Sequence, residues 1–239
     1  MKEIRLDVLR RSSPDEESYI QSIIYKINNE NATVATMLTD INNDPAQLDT
    51  EGHLVTEIRW EHSCLQRKCG ACAMVINGVP GLACNSRILD YKDIIRLEPL
   101  KKFPLIADLV VDRSILRENL KTIGAWLESD SELKERDVEL AFEASRCLQC
   151  GCCLEVCPNF YSGGEFEGMA AMVPVSRLIT SLSSEEKDRI LKAYKKHIYS
   201  GCGKSLSCRN ICPAGLDIDR LLVRSNRAAL WRINTAKKL

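Results

Sequence analysis

Twelve cysteines in 239 residues, gathered into three runs, constrain this chain more than any other feature. The first run is Cys64-x4-Cys69-x2-Cys72, followed by Cys84 after eleven residues, which is the spacing of a plant-type [2Fe-2S] loop. The second is Cys147-x2-Cys150-x2-Cys153-x3-Cys157-Pro158. In a run of that bacterial form three cysteines wrap one cubane and the fourth reaches a different cluster. The third, Cys202-x5-Cys208-x3-Cys212-Pro213, repeats this frame with Ser205 standing where the second cysteine would be.

Laying one run over the other assigns the sulfurs. Cys64, Cys69, Cys72 and Cys84 hold a [2Fe-2S] cluster; Cys147, Cys150 and Cys153, completed by Cys212, hold a [4Fe-4S] cluster; Cys157, Cys202 and Cys208 leave a three-thiolate site suited to a [3Fe-4S] cluster. Of the twelve cysteines only Cys152 is spare, and it reads as a small apolar thiol packed beside the cluster. Structural zinc is the bland competitor, but closed zinc tetrahedra use paired C-x2-C knuckles, which these spacings fit poorly. Disulfides fit a reducing compartment no better.

Lys+Arg 33 balances Asp+Glu 33, so the chain lacks the basic excess that phosphate neutralisation requires, and no nucleic acid is expected as partner. A hydrophobic fraction of 45% points to a globular chain. No apolar run approaches the ~18 residues of a membrane-spanning helix. The charged start, Met1 to Asp7, is unlike a secretory signal, and a cytoplasmic or cytoplasm-facing location is expected.

Glu3 to Leu9 alternates apolar and polar residues, and Tyr19 to Ile27 is a second apolar, β-branched stretch, so both read as strands. Thr33 caps a helix running to about Asn42. Ala73 to Ile76 meets Asn77-Gly78, a type I′ hairpin signal, and Ile94 to Leu97 supplies another strand. Gly70 between two cysteines suits a tight turn, and Arg67 and Lys68 add charge beside it. From about Pro104 the pattern becomes helical. Leu116, Leu120, Ile123 and Leu127 share one face, and Ser183 to Glu186 opens a helix carrying Ile190, Leu191, Tyr194 and Ile198. Pro174 is expected to divide the segment between the last two runs into short helices. His53, His62 and His197 show no spacing of a metal triad, and no nucleotide fingerprint or nucleophile elbow appears.

The order of the three runs, with Cys69-Gly70-Ala71-Cys72, Leu82-Ala83-Cys84, Phe103-Pro104-Leu105-Ile106 and Asp108-Leu109-Val110-Val111-Asp112, resembles the iron–sulfur subunit of succinate dehydrogenase and fumarate reductase over nearly the whole chain. The resemblance implies an α+β protein: a β-grasp plant-type ferredoxin domain over 1–105, then an all-α helical ferredoxin domain over 106–239. It also implies an FAD-containing flavoprotein partner beside the [2Fe-2S] site, a membrane anchor subunit near the [3Fe-4S] site, and a peripheral place on the cytoplasmic side of the cell membrane. Electrons would pass singly between the flavin and a membrane quinone, and the organic chemistry would belong to the partner, with no catalytic residue on this chain.

Two positions depart from ubiquinone-reactive members, which carry Trp where this chain has Ser162 and His where it has Gly203. A menaquinone-type complex with its quinone site in a haem-bearing anchor is then favoured, while Phe160 and Tyr161 line an acceptor pocket or simply pack. The C-terminal stretch from Asp217 to Lys238, with Arg220, Arg224, Arg227 and Arg232, reads as a basic amphipathic helix facing an anchor, anionic headgroups or solvent. A soluble flavoprotein reductase for another unsaturated acid, fed by a thiol or ferredoxin, stays open at this point, as does a zinc-stabilised interaction module. Both directions, succinate oxidation and fumarate reduction, also stay open.

Overall fold

The structure is a computed structural model that describes residues 2–128, 135–179, 182 and 184–231. The chain divides into two compact units, Met1–Asp112 and Arg113–Leu239.

Alternation builds the first unit. In β1 (Lys2–Arg10) and β2 (Tyr19–Ile27) every second side chain is buried, the pattern of a sheet with one face in the core. They pair antiparallel from Lys2 opposite Ile27 to Arg10 opposite Tyr19. The hairpin β3 (Ala73–Ile76) and β4 (Val79–Leu82) turns at Asn77 and Gly78, with φ of 48° and 81°, the left-handed pair that a type I′ turn requires. β5 (Ile94–Glu98) runs parallel to β1 and antiparallel to β3, giving the sheet order β2-β1-β5-β3-β4. Helix α1 (Val34–Asn43) starts where the Thr33 hydroxyl accepts from the Thr36 N–H, and buries Val34, Met37, Leu38 and Ile41.

Helical structure does not begin at Pro104. Residues β6 (Leu105–Ala107) and β7 (Val110–Val111) form a small hairpin, and the first helix after it, α2 (Ser114–Ile123), is set by Gly124, whose φ of 69° ends the helix in a left-handed cap. The helical face therefore stops at Ile123, and Leu127, beyond the cap, is exposed. A competing turn signal outweighed the apolar period there.

The rest of the second unit is α3 (Glu135–Ser145), α4 (Cys152–Glu155), α5 (Gly168–Ile179), α6 (Ser184–Tyr194), a π turn over Lys195–Tyr199, and α7 (Ile218–Trp231). Ile190, Leu191, Tyr194 and Ile198 are buried as one face; Ser183, the expected cap, lies outside the described residues. Pro174 does not divide its segment: it sits inside α5, which continues to Ile179. Its missing N–H leaves the carbonyl four residues back, on Ala170, without its helical donor, and Gln149 Nε2 donates to that oxygen at 2.8 Å instead.

Arginines of α7 turn to α3. Arg220 pairs with Glu139 at 2.9 Å and Arg224 with Asp137 at 3.6 Å, while Arg227 is exposed and Arg232 lies outside the described residues. Among the described residues no helix is long and apolar enough to cross a membrane.

Candidate metal centres

The first cysteine loop is built from left-handed residues. Leu65, Arg67 and Gly70 take φ of 51°, 59° and 76°, conformations that aim successive N–H groups into one concavity. The N–H groups of Gln66 and Lys68 donate to Cys64 Sγ at 3.3 Å each, and that of Arg67 to Cys84 Sγ at 3.3 Å. The Gln66 and Lys68 donors hold the Cys64 thiol down at about 7, with Cys69 bonding to it as well. Burial holds Cys72 up at about 12, with Cys84 and Cys69 as its charged neighbours. Cys84 is placed by its flanks: Val34 N donates to Ser86 O at 2.8 Å and Ile88 N to Ala32 O at 2.9 Å, tying the segment after it to the start of α1. The turn glycine was legible in sequence; the basic side chains of Arg67 and Lys68 are exposed, and their main chain supplies the donors.

In the second unit Cys147, Cys150 and Cys153 line one cavity with Cys212, which arrives from the other run. About 380 Å³ is empty out to its mouth, and Met169, Val173 and Ile218 form apolar walls. Arg146 anchors the incoming segment by donating to the Ala214 carbonyl at 2.6 Å. Burial raises the Cys147 thiol and drives Cys153 well up, the response of a group denied water. Cys152 is buried and is not on the cavity wall. Its thiol donates to Cys150, which holds Cys150 down at about 7, and the Arg113 guanidinium pulls the same way. Four soft sulfur donors around an apolar pocket are a donor set for an iron–sulfur cubane.

Cys157, Cys202 and Cys208 form the third group: burial holds Cys208 up at about 11, and the neighbouring Cys157 and Cys202 push it the same way. Its backbone repeats the second run. Gln149 and Gly151 have φ of 51° and 87°, and Lys204 and Leu206, at the matching steps after Cys202, both have 56°. Ser205 therefore stands at the step of Cys150, exposed, with its hydroxyl accepting from Ser207 at 3.2 Å. Among the described residues no three His, Cys, Asp or Glu side chains converge on a point that a single ion could fill, which a closed zinc tetrahedron needs.

At the two departures, Gly203 faces Asn159: a Cβ there would stand 3.0 Å from its Oδ1, while Asn159 Nδ2 donates to Gly201 O at 2.9 Å. Phe160 is buried, and Tyr161 is 66% exposed with one side of its ring lying over Gly164. Sequence reasoning missed Gln149, whose Nε2 lies 3.2 Å from Cys147 Sγ; its place between two cysteines was the available signal.

Residues 5–118 match the family model for a 2Fe-2S iron-sulfur cluster binding domain, and residues 143–216 that for a 4Fe-4S dicluster domain. The succinate dehydrogenase iron-sulfur subunit of Bacillus subtilis (strain 168) is 33% identical over 95% of this chain and 92% of its own. The fumarate reductase iron-sulfur subunit of Escherichia coli O6:H1 is 27% identical over 91% and 89%. Among solved structures, a chain of the Mycobacterium smegmatis Sdh1 complex in the apo form shares the fold, with a TM-score of 0.77, 20% identity and 99% of both chains covered. This chain belongs to the family of succinate dehydrogenase and fumarate reductase iron–sulfur subunits.

Proposed function

We propose that this chain is the electron-transfer subunit of a succinate:quinone oxidoreductase or fumarate reductase, and that eleven of its cysteines divide among three clusters. Cys64, Cys69, Cys72 and Cys84 are the [2Fe-2S] ligands, Cys147, Cys150, Cys153 and Cys212 the [4Fe-4S] ligands, and Cys157, Cys202 and Cys208 the [3Fe-4S] ligands. When bound, the clusters carry electrons singly between a flavin and a quinone. The observation that carries the reading is Cys212 on the same cavity wall as Cys147, Cys150 and Cys153, because a ligand exchanged between two runs marks two-cluster ferredoxins.

The chain's own residues do the rest. Gln66, Arg67 and Lys68 point main-chain N–H groups at Cys64 and Cys84, stabilising negative charge on those sulfurs. The walls around Cys147 and Cys212 surround the second site with apolar side chains, and the absent fourth thiolate at Ser205 keeps the third site at three ligands.

The sheet order β2-β1-β5-β3-β4 with α1 supports a β-grasp ferredoxin domain, followed by a helical ferredoxin domain. The partners are an FAD flavoprotein and a membrane anchor, which hold this subunit peripherally on the cytoplasmic face. Gly203 and Ser162, standing where ubiquinone-reactive members carry His and Trp, support a menaquinone-type complex with its quinone site in a haem-bearing anchor.

The test is low-temperature EPR of the anaerobically purified protein, oxidised and reduced, with iron and zinc counted on the same sample. A three-iron signal when oxidised, joined by a [2Fe-2S] signal on reduction, is expected; silent spectra with stoichiometric zinc would refute the reading. Co-purification of the flavoprotein without any membrane protein would instead favour a soluble reductase.

A further inference from the structure

Gln149 lies one step before Cys150 with φ of 51°, between two cysteines of one wall. Its side-chain amide makes two donations: Nε2 to Cys147 Sγ at 3.2 Å and to the Ala170 carbonyl at 2.8 Å. Reversing the amide would face its oxygen against a carbonyl oxygen and a thiolate, so the orientation follows from its partners. Oε1 is left buried, with no hydrogen-bond partner among the described residues. An amide held this way, at the expense of its own acceptor, is held for its donor.

The Ala170 carbonyl is available because Pro174, four residues on within α5, brings no N–H. A proline inside a helix and a glutamine in a cysteine loop are thus two halves of one arrangement. The other run lacks it. At the matching step Lys204 places its ammonium 4.9 Å from the centre of the Tyr199 ring.

We propose that Pro174 and Gln149 act as a unit that raises the reduction potential of the [4Fe-4S] site, the proline freeing the carbonyl that seats the glutamine amide against the Cys147 sulfur. A sulfur accepts a hydrogen bond more strongly as its cluster gains an electron, so a fixed N–H donor favours the reduced state. Gln149 tunes, and Pro174 is a positioning residue. The inference rests on the ligand assignment proposed above.

The experiment is an EPR-monitored redox titration of the intact complex carrying Gln149→Met, Pro174→Ala, or both. Gln149→Met keeps length and removes both donations; Pro174→Ala returns an N–H that competes for Ala170. The [4Fe-4S] midpoint should move to more negative potential in Gln149→Met and by less in Pro174→Ala. The double variant should move no further than Gln149→Met, and the other two midpoints should stay in place. An unmoved [4Fe-4S] midpoint in an iron-replete Gln149→Met protein would overturn the proposal, as would additive shifts in the double variant. Loss of that cluster from both single variants would overturn it too, because the residues would then serve assembly. A wild-type complex without any [4Fe-4S] signal would fail the ligand assignment itself, a separate result.

Discussion

Arg10 Nε lies 3.1 Å from Asp108 Oδ1, both side chains almost fully buried. The carboxylate also accepts the N–H groups of Arg11 at 2.9 Å and Arg59 at 3.0 Å. Arg10 in turn reaches Gln21 and the carbonyls of Thr56 and Glu57. One ion pair thereby fastens the end of β1, the β6–β7 hairpin and the strap that leads into Cys64.

Asp108→Asn keeps the shape and tolerates the φ of 45° found there, but strands a buried guanidinium. Breaking a buried pair from one side costs about 3–5 kcal/mol. The thermal midpoint should fall accordingly and [2Fe-2S] occupancy should drop first, read by its visible spectrum; an unchanged midpoint would show that the pair does not hold the strap.

Ser205→Cys supplies a fourth thiolate at the step that Cys150 occupies in the other run. The left-handed positions at Lys204 and Leu206 reproduce those at Gln149 and Gly151, so the new sulfur should face the same way. The oxidised three-iron EPR signal should give way to a cubane signal on reduction. Survival of the three-iron signal at full intensity would remove Ser205 from that site.

Gly201 precedes Cys202, and a Cβ there would stand 2.6 to 2.7 Å from the Phe166 ring and its Cβ. Phe166 is buried and cannot swing clear. Gly201→Ala should cost about 1–3 kcal/mol, the range for overpacking, and lower [3Fe-4S] content while sparing the [2Fe-2S] site. Equal stability and full iron would mean that the backbone there yields freely.

Glu167 is buried, and desolvation raises its carboxyl above the ordinary range despite the His197 imidazole at 3.9 Å and a bond from Thr122. The folded protein therefore holds this proton to higher pH than the unfolded chain does, and stability declines as pH rises from the ordinary carboxylate range to the raised value. Glu167→Gln should flatten that decline, leaving the acid-side midpoint alone and raising the midpoint at neutral pH. Parallel pH profiles for the two proteins would contradict it.

Local signals carried the first unit well. Thr33, Asn77-Gly78 and the alternation in β1 each act within a few residues, and the structure follows them. The misreadings came where a local rule met a longer-range partner. Pro174 breaks a helix when nothing replaces the lost bond, and here Gln149, 25 residues earlier by numbering, takes up the freed carbonyl. The apolar period through Leu127 was overridden by Gly124, where any Cβ would meet Arg189 Nη1. The division of cysteines into runs is legible because spacing is written along the chain. The donors aimed at those sulfurs are not, since Gln149 and Cys152 act through orientations that only packing decides.

The crossing of Cys212 into the wall of Cys147, Cys150 and Cys153, with Cys157 beside Cys208, bears on how the chain matures. A polypeptide emerging from the ribosome as far as residue 200 owns neither pocket in full. Both must close together, late in synthesis, around iron and sulfide delivered to a nearly finished chain, so a truncation before Cys202 would forfeit two centres rather than one.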